Sequence, residues 1–183
     1  MARTNVGRAG NLLFAGTLGY APNGDAAEFF CHEVLPRLRA LAGPPARVAI
    51  VGSNPGPSVL RLSQIPEVTV AGNVPSMAPY YAAADVAVVP VRAGGGTRIK
   101  VLEAFAYRVP VVATAVGVEG LDAEAGLHLL VADGADEFAT ACARLLRDPA
   151  LALALAERAH ALLAPRYAFP TVAARIRELY RSP

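Results

Sequence analysis

Residues 86–114 read VAVVPVRAGGGTRIKVLEAFAYRVPVVAT, and this stretch decides the fold. It holds a Val-rich run at Val86–Val89, a loop with three consecutive glycines, a helical segment at Arg98–Tyr107 and a second apolar run at Val111–Thr114. Short runs in which every residue is apolar, without alternation of apolar and polar residues, predict strands that are covered by helices on both faces of the sheet. A strand, a helix and a strand in succession predict a right-handed crossover between parallel strands.

The same alternation continues on both sides of this stretch. Further strands are predicted at Leu12–Ala15, Val48–Val51, Val68–Ala71 and His128–Val131. The helices between and after them are predicted at Asp25–Leu41, Pro57–Leu62, Met77–Ala84 and Asp136–Arg147. The sequence therefore predicts an α/β fold with a Rossmann-like, doubly wound parallel sheet of about six strands.

Extra helices follow the sixth strand. They are predicted at Pro149–Leu163 and Pro170–Tyr180, with a connector over 165–169 between them. Each begins with a proline, which suits the first turn of a helix. Because no strand follows the last helix, we expect it to pack on another domain or chain.

Composition narrows the class of protein. The 183 residues suit one α/β domain, and no apolar run reaches the length of a membrane span. The first five residues lack the apolar core of a signal peptide, and the two cysteines, Cys31 and Cys142, read as reduced, packed thiols. We therefore expect a cytoplasmic protein. A net charge of +2 is too small to indicate nucleic-acid binding.

The topology predicts where a ligand binds. In Rossmann order the first strand lies beside the fourth, and ligands bind outside the carboxyl ends of these two strands. The loops at those ends, Gly16–Gly19 and Pro90–Thr97, are both rich in glycine. The topology and the glycines therefore indicate the same place.

The helix after the second loop has an unusual charge pattern. Helix N-termini carry partial positive charge and favour acidic side chains, yet Arg98 and Lys100 stand in this first turn and Arg92 just before it. Lys100 is the only lysine in the chain. A bound phosphate explains the pattern, because backbone N–H groups and cations would then all face an anion. Solvated surface charge is the alternative.

Glu103 is the second unusual residue of this helix. It lies beside an apolar stripe of Ile99, Leu102 and Ala106, and a carboxylate near a buried face needs a partner. Lys100, three residues earlier, is one candidate partner. The two hydroxyls of a ribose are the other, because one carboxylate can accept two hydrogen bonds from a diol.

Other candidates carry weaker signals. The turn at 52–56 follows the second strand and either lines the cleft or is a plain turn, and Asn73-Val74-Pro75 follows the third strand and could edge a base. Neither metal-ligand spacing nor a Ser–His–Asp set is present, and Gly-x-Gly-x-x-Gly does not follow the first strand.

Residues 94–106 and 109–114 together resemble the donor-binding segment of GT-B glycosyltransferases of the retaining family-four type, also called group 1. Similar segments cover nearly the whole chain. They are Phe14–Leu18 with Pro22–Asp25, Ala49–Gly52, Val70–Val74, Tyr80–Val86 and Tyr167–Phe169.

The resemblance implies a domain organisation. Residues 11–165 would be the C-terminal, nucleotide-sugar-binding domain of GT-B architecture, and residues 166–183 a helix that crosses to an N-terminal, acceptor-binding domain absent from this chain. Residues 1–10 would be a linker or the cut end of a domain boundary. The isolated domain is then expected to transfer no sugar.

The resemblance also implies roles for residues. Glu103 would hold the ribose, and Arg98 and Lys100 the diphosphate. The expected nucleotide-sugar-binding set is Gly16, Thr17, Gly52, Val74, Gly95, Gly96, Thr97, Arg98, Lys100 and Glu103. Gly95 stands where the family's first motif glutamate, which approaches the donor sugar, is expected. Asn23 lies near the place of the family's usual Arg and Lys after the first strand.

The reaction implied is hexosyl transfer from a nucleoside-diphosphate sugar, with retention, without metal or cofactor and with no catalytic residue assigned within this domain. Polysaccharide or glycoconjugate assembly, in a full-length enzyme that can lie at a membrane surface, is the implied setting. Three alternatives stay open: half of a nucleotide-sugar epimerase, a non-catalytic nucleotide-binding module, and a dinucleotide dehydrogenase, which the missing glycine fingerprint disfavours.

Overall fold

The computed structural model describes residues 10–41, residues 46–167 and residue 173. The strands are β1 (Asn11–Ala15), β2 (Arg47–Gly52), β3 (Val68–Gly72), β4 (Val86–Val89), β5 (Val111–Ala113) and β6 (Leu130–Val131). All pair in parallel, in the order β3-β2-β1-β4-β5-β6. The predicted Rossmann-like sheet is confirmed, and β1 lies beside β4.

Helices cover this sheet. They are α1 (Ala21–Phe29), α2 (Leu35–Ala40), α3 (Pro57–Arg61), α4 (Ala78–Ala83), α5 (Ile99–Ala106), α6 (Ala115–Val118), α7 (Ala135–Arg147) and α8 (Pro149–Tyr167). Within the described ranges, no helix combines the length and apolar character that crossing a bilayer requires.

The first predicted helix contains a π-turn. It begins at Ala21 and not at Asp25, because Pro22 in its first turn sets the backbone for a helix. A π-helical turn at Phe30–Val34 joins α1 to α2 just before Pro36. Pro36 has no N–H to donate four residues back and would clash with that carbonyl, so the wider turn accommodates it.

The core lies on both faces of the sheet. All four residues of β4 are buried, and Phe30 meets Phe138 of α7 edge to face with ring centroids 6.0 Å apart. Cys31 and Cys142 are buried and unbonded to each other. Burial raises the pKa of the Cys31 thiol to about 12 and raises that of Cys142 as well, so both stay neutral thiols at physiological pH.

The end of α8 differs from the prediction. The connector expected over 165–169 is helical as far as Tyr167, with Pro165 inside the helix. The Tyr167 hydroxyl accepts a hydrogen bond from the Asp122 N–H (2.7 Å), and this contact fixes the last turn. The expected domain boundary between 165 and 166 thus falls inside α8. The helix predicted at Pro170–Tyr180 and most of the expected linker at 1–10 lie outside the described residues.

A short helix after β5 was not predicted. Thr114, expected to end the strand, instead caps α6: its hydroxyl accepts from the Gly117 N–H (3.0 Å) and donates to the Val91 carbonyl. The apolar run through Ala115–Val118 carries no helical periodicity over so few residues, so only the threonine cap indicates it. Strand β6 is shorter than predicted, since His128 lies in the preceding turn and accepts from the Glu124 N–H (3.0 Å).

Candidate nucleotide-binding site

A cleft of about 490 Å³ opens at the carboxyl ends of β1 and β4, where the strand order reverses. Nine of the ten predicted site residues line it: Gly16, Thr17, Gly52, Val74, Gly95, Thr97, Arg98, Lys100 and Glu103. The tenth, Gly96, lies between Gly95 and Thr97 in the loop after β4 but does not line the cleft.

Close backbone contact between the loops after β1 and β2 builds one wall of the cleft. The Gly16 N–H donates to the Val51 carbonyl (3.1 Å), and the Leu18 N–H to the Ser53 carbonyl (2.7 Å). A Cβ on Gly52 would lie 1.6 Å from the Gly16 oxygen, far inside the contact distance. Position 52 therefore accepts only glycine, and the turn at 52–56 is part of the cleft.

The loop after β4 forms the opposite wall in a different way. Gly94 and Gly96 have φ angles of +114° and +100°, which side chains rarely adopt, whereas Gly95 lies outside that region. A Cβ on Gly95 or Gly96 would meet no atom within 4 Å. This wall is shaped by backbone conformation, with an open surface toward the cleft.

Arg98 precedes α5 and is only 8% exposed. One terminal nitrogen, Nη2, donates to the Gly94 carbonyl (3.0 Å) and pairs with the exposed carboxylate of Glu119 (3.3 Å). Its Nε is buried without a hydrogen-bond partner among the described residues. An unpartnered buried N–H costs about 1–3 kcal/mol. Arg98 as a whole lines the cleft, where its charge favours an anionic ligand.

Lys100 contacts Asn23 and not Glu103, so the predicted alternative of a Lys100–Glu103 pair is wrong. Its Nζ donates to the Asn23 Oδ1 (2.5 Å) and lies 5.4 Å from the centroid of the Phe14 ring. Burial, together with Arg98, lowers the pKa of Lys100 to about 8. Lys100 lines the cleft, and the buried amide of Asn23 on α1 holds its ammonium group there.

Glu103 has a tyrosine partner that the sequence did not reveal. Its Oε2 accepts a hydrogen bond from the hydroxyl of Tyr81 (3.0 Å), a residue of α4 that is 1% exposed and stacks on Tyr107 with centroids 4.8 Å apart. Burial, and then the Glu103 carboxylate, raise the pKa of Tyr81, which keeps the hydroxyl as a donor. Tyr81 thus fixes one carboxylate oxygen at the edge of the cleft.

Of the apolar stripe predicted on α5, Leu102 is half-buried and packs against the core, but Ile99 and Ala106 do not. The residues that face the core are Val101, Ala104 and Phe105, whereas Ile99 is 58% exposed and Ala106 is exposed too. The helix is apolar on both sides, so periodicity alone does not decide which side is buried. Glu103 is accordingly exposed at the mouth of the cleft and is not beside the core.

Arg92 does not join the cations of the cleft. It forms a two-point ion pair with Asp25 at the surface (2.6 and 3.1 Å) and lies over the Phe29 ring, 4.6 Å from its centroid. The cationic cluster predicted before α5 therefore reduces to Arg98 and Lys100.

The loops after β2 and β3 close the far end of the cleft. Asn54 and Asn73 have φ angles of 52° and 53°, and the Asn73 side chain accepts from the Asn54 N–H (3.0 Å). Val74 lines the cleft as predicted, beside Met77. Met77 and, nearer the glycine loop, Tyr20 were missed, because a lone methionine or tyrosine carries no chemical signature in sequence.

Metal ligation has no candidate among the described residues: no three His, Cys, Asp or Glu side chains converge there. Metal-independent chemistry remains a prediction.

A protein family and several solved structures are similar to this chain. The model of the family described as glycosyl transferases group 1 matches residues 9–148, well over half of the chain. No curated protein sequence matches this chain.

Solved structures share the fold over at least 96% of the chain. HepE from Anabaena, in complex with UDP, superposes with a TM-score of 0.77 at 18% identity, over 96% of this chain and 49% of HepE. Sucrose-phosphate synthase from Thermosynechococcus elongatus gives 0.75 at 24%, over 96% and 45%. TarM from S. aureus gives 0.79 at 14%, over 100% and 37%. The chain thus spans half or less of each of these proteins.

Proposed function

This chain belongs to the glycosyl transferases of group 1, and from that premise we propose that it is the half of such an enzyme that binds the nucleotide sugar. The donor is a nucleoside-diphosphate sugar, and the acceptor binds to a second, N-terminal domain. The observation that carries the proposal is one cleft with a buried arginine, a half-buried lysine, two glycine loops and a carboxylate held by a tyrosine.

The diphosphate is assigned to Arg98 and Lys100. Both lie where α5 begins, and α5 has no side-chain cap at its N-terminus. Arg98 lines the cleft with its Nε unpartnered among the described residues, and the Lys100 ammonium donates to a neutral amide, with no carboxylate paired to it in the described part of the chain. Two cations and a helix N-terminus favour a group with two or three negative charges.

The nucleoside is assigned to the rest of the cleft. Glu103 has one oxygen fixed by Tyr81 and is suited to accept from ribose hydroxyls. Val74 and Met77 supply an apolar surface for a base. The sugar would extend past Gly95, where a missing side chain leaves the surface open.

The proposed chemistry is departure of the nucleoside diphosphate with retention at the sugar. Negative charge grows on the leaving diphosphate, and Arg98 and Lys100 stabilise it where water is partly excluded. No nucleophile is needed from this domain, and the cations make a metal ion unnecessary. We place the full-length enzyme in polysaccharide or glycoconjugate assembly on the cytoplasmic side, and expect the 183-residue chain alone to transfer no sugar.

Two other functions use the same cleft. Half of a nucleotide-sugar epimerase and a non-catalytic binding module would both bind the nucleotide. The full-length protein separates them: incubated with a nucleotide sugar and candidate acceptors, a transferase yields a glycosylated acceptor and free nucleoside diphosphate. An epimerase instead yields an altered free sugar, and a binding module leaves the nucleotide sugar unchanged.

Calorimetric titration tests the site in the chain itself. We expect UDP, GDP or ADP, and the corresponding nucleotide sugars, to bind with one clear base preference. Glu103→Gln should lower the preference for the ribose over the 2′-deoxyribose nucleotide about tenfold, because the amide accepts more weakly from the diol. Glu137→Gln, an exposed change on α7, is the matched control. A folded chain that binds none of these nucleotides would refute the site.

A further inference from the structure

Asn23 is an unusual partner for the only lysine of the chain. It is 7% exposed on α1, and its two polar atoms face opposite ways. The Nδ2 donates to the Thr17 carbonyl in the loop after β1 (2.8 Å), and the Oδ1 accepts from Lys100 on α5 (2.5 Å). One carboxamide thus joins the two walls of the cleft.

Both partners fix the orientation of this carboxamide. A carbonyl oxygen only accepts, and an ammonium group only donates. Turning the amide over would place its oxygen against the Thr17 carbonyl and its NH₂ against the Lys100 ammonium, which loses both hydrogen bonds. The observed orientation is therefore the only one that satisfies both contacts.

The surroundings of the ammonium group leave its charge uncompensated. Lys100 forms no ion pair with a carboxylate of the described residues. The Phe14 ring lies behind it, and Gly16 leaves the space beside it: a Cβ there would be 3.1 Å from the Lys100 Nζ and 3.1 Å from the Asn23 Nδ2. Asn23, Phe14 and Gly16 place the charge without cancelling it.

We propose that Asn23 is a positioning residue, which holds Lys100 at the glycine loop as an uncompensated cation so that its full charge meets the diphosphate. The proposal rests on the function proposed above and adds to it the residue that directs its lysine. Asn23 acts through Lys100 and needs no contact with the nucleotide.

Aspartate has the same shape as asparagine but fails on two counts at this position. Its oxygen would face the Thr17 carbonyl without a proton between them, and its charge would pair with Lys100. The paired lysine would attract the diphosphate less, because the anion would have to compete with a carboxylate already in place. Only a neutral acceptor that also donates meets both demands.

Ionisable groups lie on the elements packed around Lys100, and the charge of Arg98 adds to burial in lowering its pKa. Arg98 lies just before it and acts against its protonation, whereas Glu103 lies one turn later on α5 and is held by Tyr81 of α4. The Tyr81 hydroxyl also lies 3.5 Å from the Lys100 carbonyl oxygen. On α1 the nearest acid in sequence to Asn23 is Asp25, which is paired with Arg92 at the surface.

NMR of the 183-residue chain labelled with ¹³C-lysine tests the proposal directly, because one lysine gives one side-chain resonance. We expect Asn23→Asp to raise the pKa of Lys100 by about one unit or more and to weaken UDP binding about tenfold at pH 7. Asn23→Ala should lower this pKa, since the ammonium loses its acceptor. Gln64→Glu, an exposed amide-to-acid change before β3, should alter neither quantity.

The outcomes separate the two proposals. If the resonance titrates identically in the wild type, Asn23→Asp and Asn23→Ala, the positioning role is refuted, and Asn23→Ala decides the matter should the aspartate variant fail to fold. If the pKa responds to Asn23 but the lysine resonance does not respond to UDP, Asn23 positions the lysine and the diphosphate assignment fails. A shift of the resonance with UDP in the wild type, reduced in Asn23→Asp, supports both.

Discussion

The two glycine loops that border the cleft use glycine for different reasons. After β1 and β2, Gly16 and Gly52 lie so close that a Cβ on Gly52 would be 1.6 Å from the Gly16 oxygen. After β4, a Cβ on Gly96 would meet no atom within 4 Å and one on Gly94 would lie 3.2 Å from Pro22, but the φ angles of +100° and +114° disfavour a side chain at both. One wall is defined by contact and the other by conformation.

This difference assigns the two walls different tasks. The contact wall is fixed by backbone hydrogen bonds from β2 and offers little room to change. The conformational wall is exposed, is tied down by the Arg98–Gly94 hydrogen bond, and carries both cations on the residues that follow it. Substitutions in the first wall should therefore change stability, and those in the second should change ligand binding more.

Gly52→Ala should have the largest effect. The added methyl group requires the loops after β1 and β2 to separate, and we expect a loss of about 3 kcal/mol in the free energy of unfolding, measured by urea denaturation. Gly56→Ala is the control, because its Cβ meets no atom within 4 Å and its φ is −72°. Equal stability of the two variants would contradict the close contact.

Substitution of Lys100 tests whether the two walls act together. Lys100 follows the glycine loop after β4 in sequence, and its ammonium group is held by Asn23, which is bonded to the loop after β1. Lys100→Met should weaken binding of a nucleotide sugar at pH 7 about 30-fold, the value of a charge-assisted hydrogen bond of about 2 kcal/mol. Calorimetry measures this, and Arg92→Met is a control that removes a surface cation outside the cleft. Equal losses in the two variants would indicate a general effect of charge.

The pH dependence of binding follows from the same lysine. With the free pKa near 8 and a bound anion raising it, the affinity should be constant below about pH 8. Above that pH, binding must take up a proton, and the affinity should fall by up to about tenfold per pH unit. Lys100→Met in the same series corrects for ionisation of the nucleotide. A wild-type profile parallel to that of Lys100→Met would contradict the assignment.

The smallest expected effect is a difference in stability between alanine substitutions at the adjacent glycines Gly95 and Gly96. Gly96→Ala should cost about 1 kcal/mol of stability, because alanine must adopt a left-handed backbone conformation. Gly95→Ala should be neutral or should stabilise by about 0.5 kcal/mol, since it restricts only the unfolded chain. Thermal unfolding of the two single variants measures the difference. The reverse order would show that space, and not conformation, selects glycine in this wall.

The sheet was predictable because its strands carry a strong local signal. The apolar runs place five of the six strands within one residue at each end and the sixth within two, and the alternation with helices gives the strand order. The π-turn before Pro36 and the helical turns through Pro165 were not predictable. They depend on how neighbouring segments accommodate a proline, and not on the proline itself.

The site was predictable in its place and its charge, but not in its partners. Glycines, Arg98, Lys100 and Glu103 stand close together in sequence, so one stretch reveals them. Their partners stand far away: Tyr81 is 22 residues from Glu103, and Asn23 is 77 residues from Lys100. No local pattern links such pairs, and only the folded sheet brings them together.

The buried thiols make the chain convenient for chemical labelling. Cys31 and Cys142 are 2% and 0% exposed and are held as neutral thiols, so maleimides and other thiolate-directed reagents have little access to either. A cysteine introduced by Gly95→Cys would stand alone in an exposed loop without steric conflict. A fluorophore there would report the arrival of a ligand at the mouth of the cleft in an otherwise unmodified protein.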